Sequence, residues 1–333
     1  MKKPLITIGE SIHASIPKTG QFMKQLRELG GDAYSTPSEP LNFIKGLIES
    51  QAAAGADYIA VNVDAFGEDD PQVAAGLMRQ YVKLVRKWAS GAGVCIDSSN
   101  DDVLIAGLKE WYNPSADRGQ KTEDRLALPP VGRAPLVNSV KVYTMDNILP
   151  LKKDFDFAFI GLLLSEDKPT GPGGSYSVDE LYCLAQQIFD AAVGKYGFKP
   201  QELFFDSTVF PLVIDMPMEP NVPGYTYRTF ETIKRIKDDT KMKAVHCVLG
   251  LSNCVRDLPG RKIGVCRAYL AKAMEYGLDA AIVNVAHHYG QIEPAAELLE
   301  LVDAYANMDG SAEKTQKAME LMGKFCRQLR KPV

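Results

Sequence analysis

Tyr58-Ile59-Ala60-Val61-Asn62-Val63 is an apolar run rich in strand-forming residues, and an acid, Asp64, follows it. Asp70-Pro71 comes next, an N-cap acid with proline at the first helical position. Behind it Leu77, Tyr81, Val85 and Trp88 recur at steps of three and four, the spacing of one helical face. Val94-Cys95-Ile96-Asp97 then forms a second apolar run that again ends in a polar residue. This stretch therefore reads strand, helix, strand. Strands joined by a helix in this way run parallel.

The same unit repeats outward in both directions. Further apolar runs stand at Leu5–Gly9, Leu136–Val140, Phe155–Leu164, Leu203–Asp206, Ala244–Leu249 and Ala280–Val285. Ser177-Val178-Asp179-Glu180 is a capping-box signature, with Leu181, Leu184, Ile188 and Ala191 as the buried face behind it. Gly55 and Gly277 sit where helices should end, each just before a strand. Eight strands alternating with helices predict an α/β fold closed as a (β/α)8 TIM barrel. A doubly wound open sheet would carry a Gly-rich fingerprint after its first strand, and none stands there. The barrel is expected over about residues 4–307 of a single domain spanning 1–333. An extra amphipathic helix follows over 311–331, with Ala318, Met322, Phe325 and Leu329 on one side. That helix is read first as a cover for the barrel and second as a dimer interface, which makes a homodimer the expected assembly.

Composition narrows the class. With 46% hydrophobic and 24% charged residues and a formal net charge of −4, nothing points to nucleic acid or an anionic membrane. No apolar run approaches the roughly 20 residues that span a bilayer. Leu5-Ile6-Thr7-Ile8 is too short for a signal peptide, so the cytoplasm is the expected location. The six cysteines, at 95, 183, 247, 254, 266 and 326, form no Cys-x-x-Cys pair and read as reduced thiols. A zinc site on His246, Cys247 and Cys254 is set aside, because adjacent residues of a strand point to opposite faces. No metal is expected in this chain.

Two long connections, Ser11–Pro40 and Ser207–Val222, follow strands and belong on the C-terminal face, where barrel active sites lie. The second is apolar and proline-rich, either a docking surface or a pocket wall. Asn113–Ala134 precedes a strand and belongs on the opposite face. Asp167–Tyr176, rich in Gly and Pro, follows the fifth strand.

Nearly every strand is followed by a polar residue: Glu10, Asn62 with Asp64, Asp97, Asn138, Ser165, Asp206, Asn253 and Asn284. Singly, each is more simply a helix cap. Together they ring one mouth, rich in carboxylates and amides. Such a ring suits a fused heterocycle with both donors and acceptors, such as a pterin, although spacing alone does not name it.

Four segments resemble the methyltetrahydrofolate:corrinoid protein methyltransferases, a branch of the pterin-binding barrels that also includes dihydropteroate synthase. They are Ile8-Gly9-Glu10, Cys95-Ile96-Asp97-Ser98-Ser99-Asn100, Phe204-Phe205-Asp206-Ser207 and Val248-Leu249-Gly250-Leu251-Ser252-Asn253. Val61-Asn62-Val63 and Val137-Asn138-Ser139 fit the same pattern less specifically, and the likeness runs over roughly residues 4–305. The resemblance implies that Asp97, Asn138 and Asp206 hold the pterin ring and that Gly250 and Ser252 shape the loop. Asn253 would lie beside N5, the methyl-bearing atom. Glu10, Asn62, Arg256, Arg261 and Asn284 are further binding candidates. Arg261 falls where the family also has an arginine, whereas Arg256 stands where the family usually has glutamine.

The implied activity is methyl transfer between N5 of tetrahydrofolate and the cobalt of a corrinoid protein. Its substrate would be tetrahydrofolate or the 5-methyl form, the corrinoid would be carried by the partner, and that partner would dock on the C-terminal face. The long loops lean the direction toward unloading a methyl-corrinoid onto tetrahydrofolate. Two alternatives stand beside it. A dihydropteroate synthase usually has an Asn-x-Thr-x-Asp-Ser-Phe element after strand one, and here Gly9-Glu10-Ser11-Ile12-His13-Ala14-Ser15 occupies that place. A noncatalytic folate-binding protein would not need the Asn253 segment intact.

Overall fold

The computed structural model describes residues 5–112, 133–166, 176–217, 219 and 221–329. Eight parallel strands follow one another around a closed barrel: β1 (Ile6–His13), β2 (Tyr58–Asn62), β3 (Gly93–Asp97), β4 (Leu136–Val140), β5 (Ala158–Leu162), β6 (Leu203–Asp206), β7 (His246–Gly250) and β8 (Ala280–Val283). β8 closes on β1 through the pairs Ile6–Ala280 to Gly9–Val283. The helices outside are α1 (Pro17–Leu29), α2 (Glu39–Ala53), α3 (Pro71–Trp88), α4 (Asp101–Tyr112), α5 (Met145–Ile148), α6 (Val178–Phe189), α7 (Tyr225–Asp238), α8 (Lys262–Glu275), α9 (Ala296–Ala306) and α10 (Ala312–Leu329).

The local signals act as the sequence implies. Asp70 accepts from Gln72 N at 2.9 Å and starts α3, whose Leu77, Tyr81 and Val85 are buried. Ser177 and Glu180 close both halves of the capping box that opens α6. Gly55 and Gly277 take φ of +85° and +108°, a left-handed backbone that glycine adopts without a Cβ clash.

Three expectations change. Ser11–Pro40 is not a loop: β1 runs on to His13, and α1 follows with Pro17 in its first turn and Met23 and Leu26 buried. After β4 the full helix shrinks to α5 and a 3-10 turn over Leu149–Lys153. The final strands are shorter or shifted, with β7 beginning at His246 because Val245 N turns back to Met242 O. Asn113–Ala134 and Asp167–Tyr176 lie almost wholly outside the described residues. The C-terminal helix packs on α9 through buried Ala318, Met322 and Phe325, as a cover would.

Strand alternation divides the core in two. Ile8, Tyr58, Ala60, Cys95, Leu136, Ala158, Ile160, Phe204, Val248 and Ala280 fill the barrel interior. The intervening residues, such as Val61, Ile96, Val137, Phe205 and Leu249, pack outward under the helices. Phe204 stacks on His246 at 4.6 Å between ring centroids and meets Tyr58 edge-on at 6.4 Å. β4 breaks the alternation after Asn138, where Asn138 pairs with Ile160 but Val140 with Gly161, and β1 breaks it too. Gly9 pairs with Ile59 but Ile12 pairs with Val61, so one extra residue bulges out of β1. Ile8 is therefore inside, Ile12 packs outside, and His13 comes level with Asn62.

Candidate functional site

Counting on from the interior residues gives the next inward position on each strand. From Ile8, Ala60, Cys95, Leu136, Phe204 and Ile282 the count reaches Glu10, Asn62, Asp97, Asn138, Asp206 and Asn284. Asn62, Asp97 and Asn138 sit side by side in register on three adjacent strands. The strands thus lift a polar layer directly above the apolar plug, at the C-terminal mouth. The sequence-predicted pterin set Asp97, Asn138 and Asp206 is brought together there.

Asp97 is the centre of that layer. Asn138 Nδ2 donates to its Oδ1 at 2.9 Å and Asn62 Nδ2 to its Oδ2 at 3.3 Å. Burial pushes its carboxyl up to about 7, the Asn62 hydrogen bond opposes this, and Asp64, Asp206 and Glu10 add like charge. Asp206 Oδ1 accepts from Thr208 N at 2.7 Å, and burial pushes this carboxyl too up to about 7. Glu10 Oε2 accepts from Ser252 Oγ at 3.2 Å, and its carboxyl is raised by burial against that hydrogen bond. Among the described residues no lysine or arginine pairs with any of these three acids.

The Asp-Ser-Ser-Asn motif has a mechanical explanation. Asp97 faces the mouth, while Ser98 Oγ and Ser99 Oγ donate to Asp64 at 2.6 and 2.9 Å and Ser99 N does so at 2.8 Å. Asn100 Oδ1 accepts from Asp102 N and caps α4. Asp64 is thus a positioning group that ties the β2 turn to the β3 turn. The simple capping role holds for Asn284, whose Oδ1 accepts from Ala286 N at 3.1 Å. Ser165 is held by the Tyr176 hydroxyl at 3.0 Å.

The β7 turn carries the rest. A 3-10 helix over Leu251–Val255 exposes Ser252 and Asn253 and buries Leu251, Cys254 and Val255. At Gly250, the inward position of β7, an added Cβ would meet only Asn253 Nδ2, at 3.5 Å. Arg256 is exposed, and its backbone N–H bonds back to Asn253 O. Arg261 does not join the ring: it takes φ of +52° before α8 and pairs with Glu297 at 2.7 Å.

His13 is a mouth residue that sequence reasoning missed. Alternation from Ile8 sends position 13 outward, and only the bulge returns it. Its Nδ1 accepts from Ser15 N at 3.1 Å, and burial lowers its pKa against the field of Asp64. His287, by contrast, meets the Tyr289 hydroxyl through Nδ1, and His288 is exposed.

What remains open in the layer is almost all acceptor. Asp206 Oδ2, Asn138 Oδ1 and the second lone pairs of Asp97 have no protein partner among the described residues. A ligand with several N–H donors on one edge satisfies them. Among the described residues no cluster of three or more His, Cys, Asp or Glu is arranged to hold a metal ion. None of the described helices is long and apolar enough to cross a membrane. A separate cavity of about 650 Å³ lies at the other end of the barrel, between the ends of α7 and α8 and the 290–294 segment, and holds none of the ring residues.

No family model matches the chain. Among solved structures it is similar to a dihydropteroate synthase from Stenotrophomonas maltophilia, at 11% identity and TM-score 0.49, covering 100% of this chain and 96% of that one. The dihydropteroate synthase of Thermus thermophilus aligns at 14% identity and TM-score 0.46, over 86% of this chain and 92% of that one. The homocysteine methyltransferase MmuM from Escherichia coli aligns at 12% identity and TM-score 0.25, over 96% and 97%. At these values the likeness does not extend beyond the barrel, and the chemistry rests on the site's own residues.

Proposed function

We propose that this barrel moves a methyl group between N5 of tetrahydrofolate and a corrinoid protein, with the lean toward methylation of tetrahydrofolate. The observation that carries the reading is the acceptor-rich layer of Asp97, Asp206 and Asn138 in a half-buried mouth. The amino group and ring N–H groups of a reduced pterin supply the donors that this layer lacks. Carboxylates ionised by such donors bind them in charge-assisted hydrogen bonds, and a ligand without them leaves buried acceptors unpaired.

In this reading Asn253 stands beside N5. Its amide oxygen accepts from N5–H⁺ as the methyl leaves or arrives, an interaction stronger in the transition state than in the ground state. The corrinoid, carried by the partner, supplies the cobalt that gives or takes the methyl. The rim suits a visiting protein. Ile16, Tyr143, Ile214, Met216 and Ile263 are exposed by 37%, 46%, 50%, 42% and 40%, the first four on connections that follow strands and Ile263 in the first turn of α8. Exposed apolar side chains gathered on one face favour protein docking.

Asn253→Ala tests the chemistry. The lost hydrogen bond to a charged group is worth about 1.5–3 kcal/mol, so single-turnover methyl exchange with free cobalamin should slow by one to two decades. Folate affinity should hold. Unchanged turnover at saturating folate, or a pure loss of affinity, contradicts the assignment.

A further inference from the structure

The donor to Glu10 is the residue that precedes Asn253. Ser252 Oγ reaches Glu10 Oε2 at 3.2 Å, so β1 and the β7 turn meet at the position beside which the folate reading places N5. Glu10 is also the inward residue of its strand, one layer above Ile8, and no cation pairs with it among the described residues.

We infer that Glu10 Oε1 holds the proton that N5 gains on giving up the methyl and loses on receiving one. The inference rests on the folate reading above and supplies the acid and base that Asn253 cannot be.

Burial first, and the neighbouring Asp97 with it, favours a proton on Glu10. Asp97 and Asp206 face the ring donors, and those hydrogen bonds favour their ionised forms when pterin is bound. Asp97, whose own titration feels Glu10, then bears on Glu10 as an anion, and carboxylates so placed do not all ionise together. Burial works in the same direction on Glu10, offset in part by Ser252. The groups facing it are Asp97 from β3, Ser252 from the β7 turn, Cys266 from α8 and Tyr289 from the segment after β8. Ser252 orients the carboxyl from Oε2 and leaves Oε1 to carry the proton. His13, the other titratable group at this level, has Nδ1 committed to Ser15 N.

The step balances without another reactant. In donation the N5–methyl bond breaks with its electron pair left on N5, and the methyl bonds to the acceptor through the acceptor's own pair. The proton on Oε1 passes to N5, leaving a carboxylate and an N5–H amine. In the reverse direction the carboxylate takes the N5 proton as the new N–C bond forms.

The test is single-turnover kinetics in both directions, using 5-methyltetrahydrofolate with cob(I)alamin and tetrahydrofolate with methylcobalamin. Wild type, Glu10→Gln, Glu10→Asp and His13→Gln are compared at saturating folate across pH. Wild-type donation should fall as pH rises and acceptance should fall as pH falls, because the acid form serves one direction and the base form the other. Glu10→Gln should flatten both slopes and cost about a hundredfold in each direction, while Glu10→Asp retains the slopes. Calorimetry of folate binding in buffers of different ionisation heat gives a second readout. Glu10→Gln should release more protons than wild type, because it cannot take up one shed by Asp97 or Asp206. Wild-type slopes in Glu10→Gln, or slopes abolished by His13→Gln alone, overturn the inference while leaving the folate reading intact. No folate binding by wild type overturns that reading first, and this inference with it.

Discussion

The two ends of the barrel treat their carboxylates in opposite ways. At the N-terminal end Asp279 receives Lys237 Nζ at 2.8 Å, His246 Nδ1 at 3.1 Å and Cys247 N at 2.9 Å. Asp57 there receives Arg133 at 2.7 Å and Thr7 N at 2.8 Å. Burial would raise the Asp279 carboxyl, but the His246 hydrogen bond and Lys237 outweigh it and hold it below the usual carboxylate range. At the C-terminal mouth Asp97, Asp206 and Glu10 have amide, hydroxyl or backbone partners and no cation, and all three are raised. One end is satisfied by the protein itself. The other keeps acceptors unspent, the mark of a site that expects a ligand. Stability and binding should therefore respond in opposite senses to the same kind of substitution.

The largest separation should come from pairing Asp279→Ala with Asp206→Ala. Removing Asp279 leaves the Lys237 ammonium with the Val245 carbonyl but no counter-charge and should cost about 3 kcal/mol in urea unfolding, with folate affinity kept. Removing Asp206 should leave stability unchanged or higher, and should weaken folate by about 2 kcal/mol, roughly thirtyfold. If Asp206→Ala unfolds the chain and Asp279→Ala loses folate, the division between the two ends fails.

A smaller effect is expected at the rim. Val213 is half-buried against the core, so the cleaner probes of the loop after β6 are Ile214 and Met216. That loop is anchored beneath them by buried Asp215, which accepts from Tyr225 N and Thr226 N at the start of α7. Ile214→Glu or Met216→Glu should slow transfer with a protein-bound corrinoid about tenfold, a cost of about 1.4 kcal/mol, and spare transfer with free cobalamin. Equal loss with both acceptors removes the docking role from this loop.

The remaining prediction concerns the pH dependence of stability. Asp97 and Asp206 titrate higher in the folded chain than in the unfolded one, so the native state binds the extra protons. Their contribution is present below about pH 4, near the unfolded carboxylate value, and is lost as pH rises through about 7. Asp279 has the opposite sign: its contribution is present above the ordinary carboxylate range and lost as pH falls through its lowered value. The variant Asp97→Asn/Asp206→Asn should therefore gain stability relative to wild type as pH rises from about 4 to about 7. A constant difference across that window shows that the mouth carboxyls are not held protonated.

Much of the fold could be read in the residues because parallel-barrel strands and helices carry separate periods. Tyr58–Val63, the Leu77 to Trp88 stripe and the Ser177 box each state their element locally. The polar ring was equally plain, since a strand ending inside a barrel must end in the mouth. What escaped the reading depends on contacts distant in sequence. The β1 bulge is invisible in Ser11-Ile12-His13, and it is what brings His13 level with Asn62. Arg261 reads like a ligand group until Glu297, on α9, takes its charge. The hydrogen bond from Ser252 to Glu10 joins the seventh turn to the first strand, a closure that only the three-dimensional barrel provides.

The central claim is that the acceptor layer at the mouth is a site for a reduced folate. Calorimetric titration of tetrahydrofolate into the wild-type chain, with a chelator present, tests it most directly. Saturable one-to-one binding is expected, undisturbed by the chelator and abolished by Asp97→Asn/Asp206→Asn without loss of fold. No heat of binding at millimolar folate, or binding that survives in the double variant, would contradict the claim.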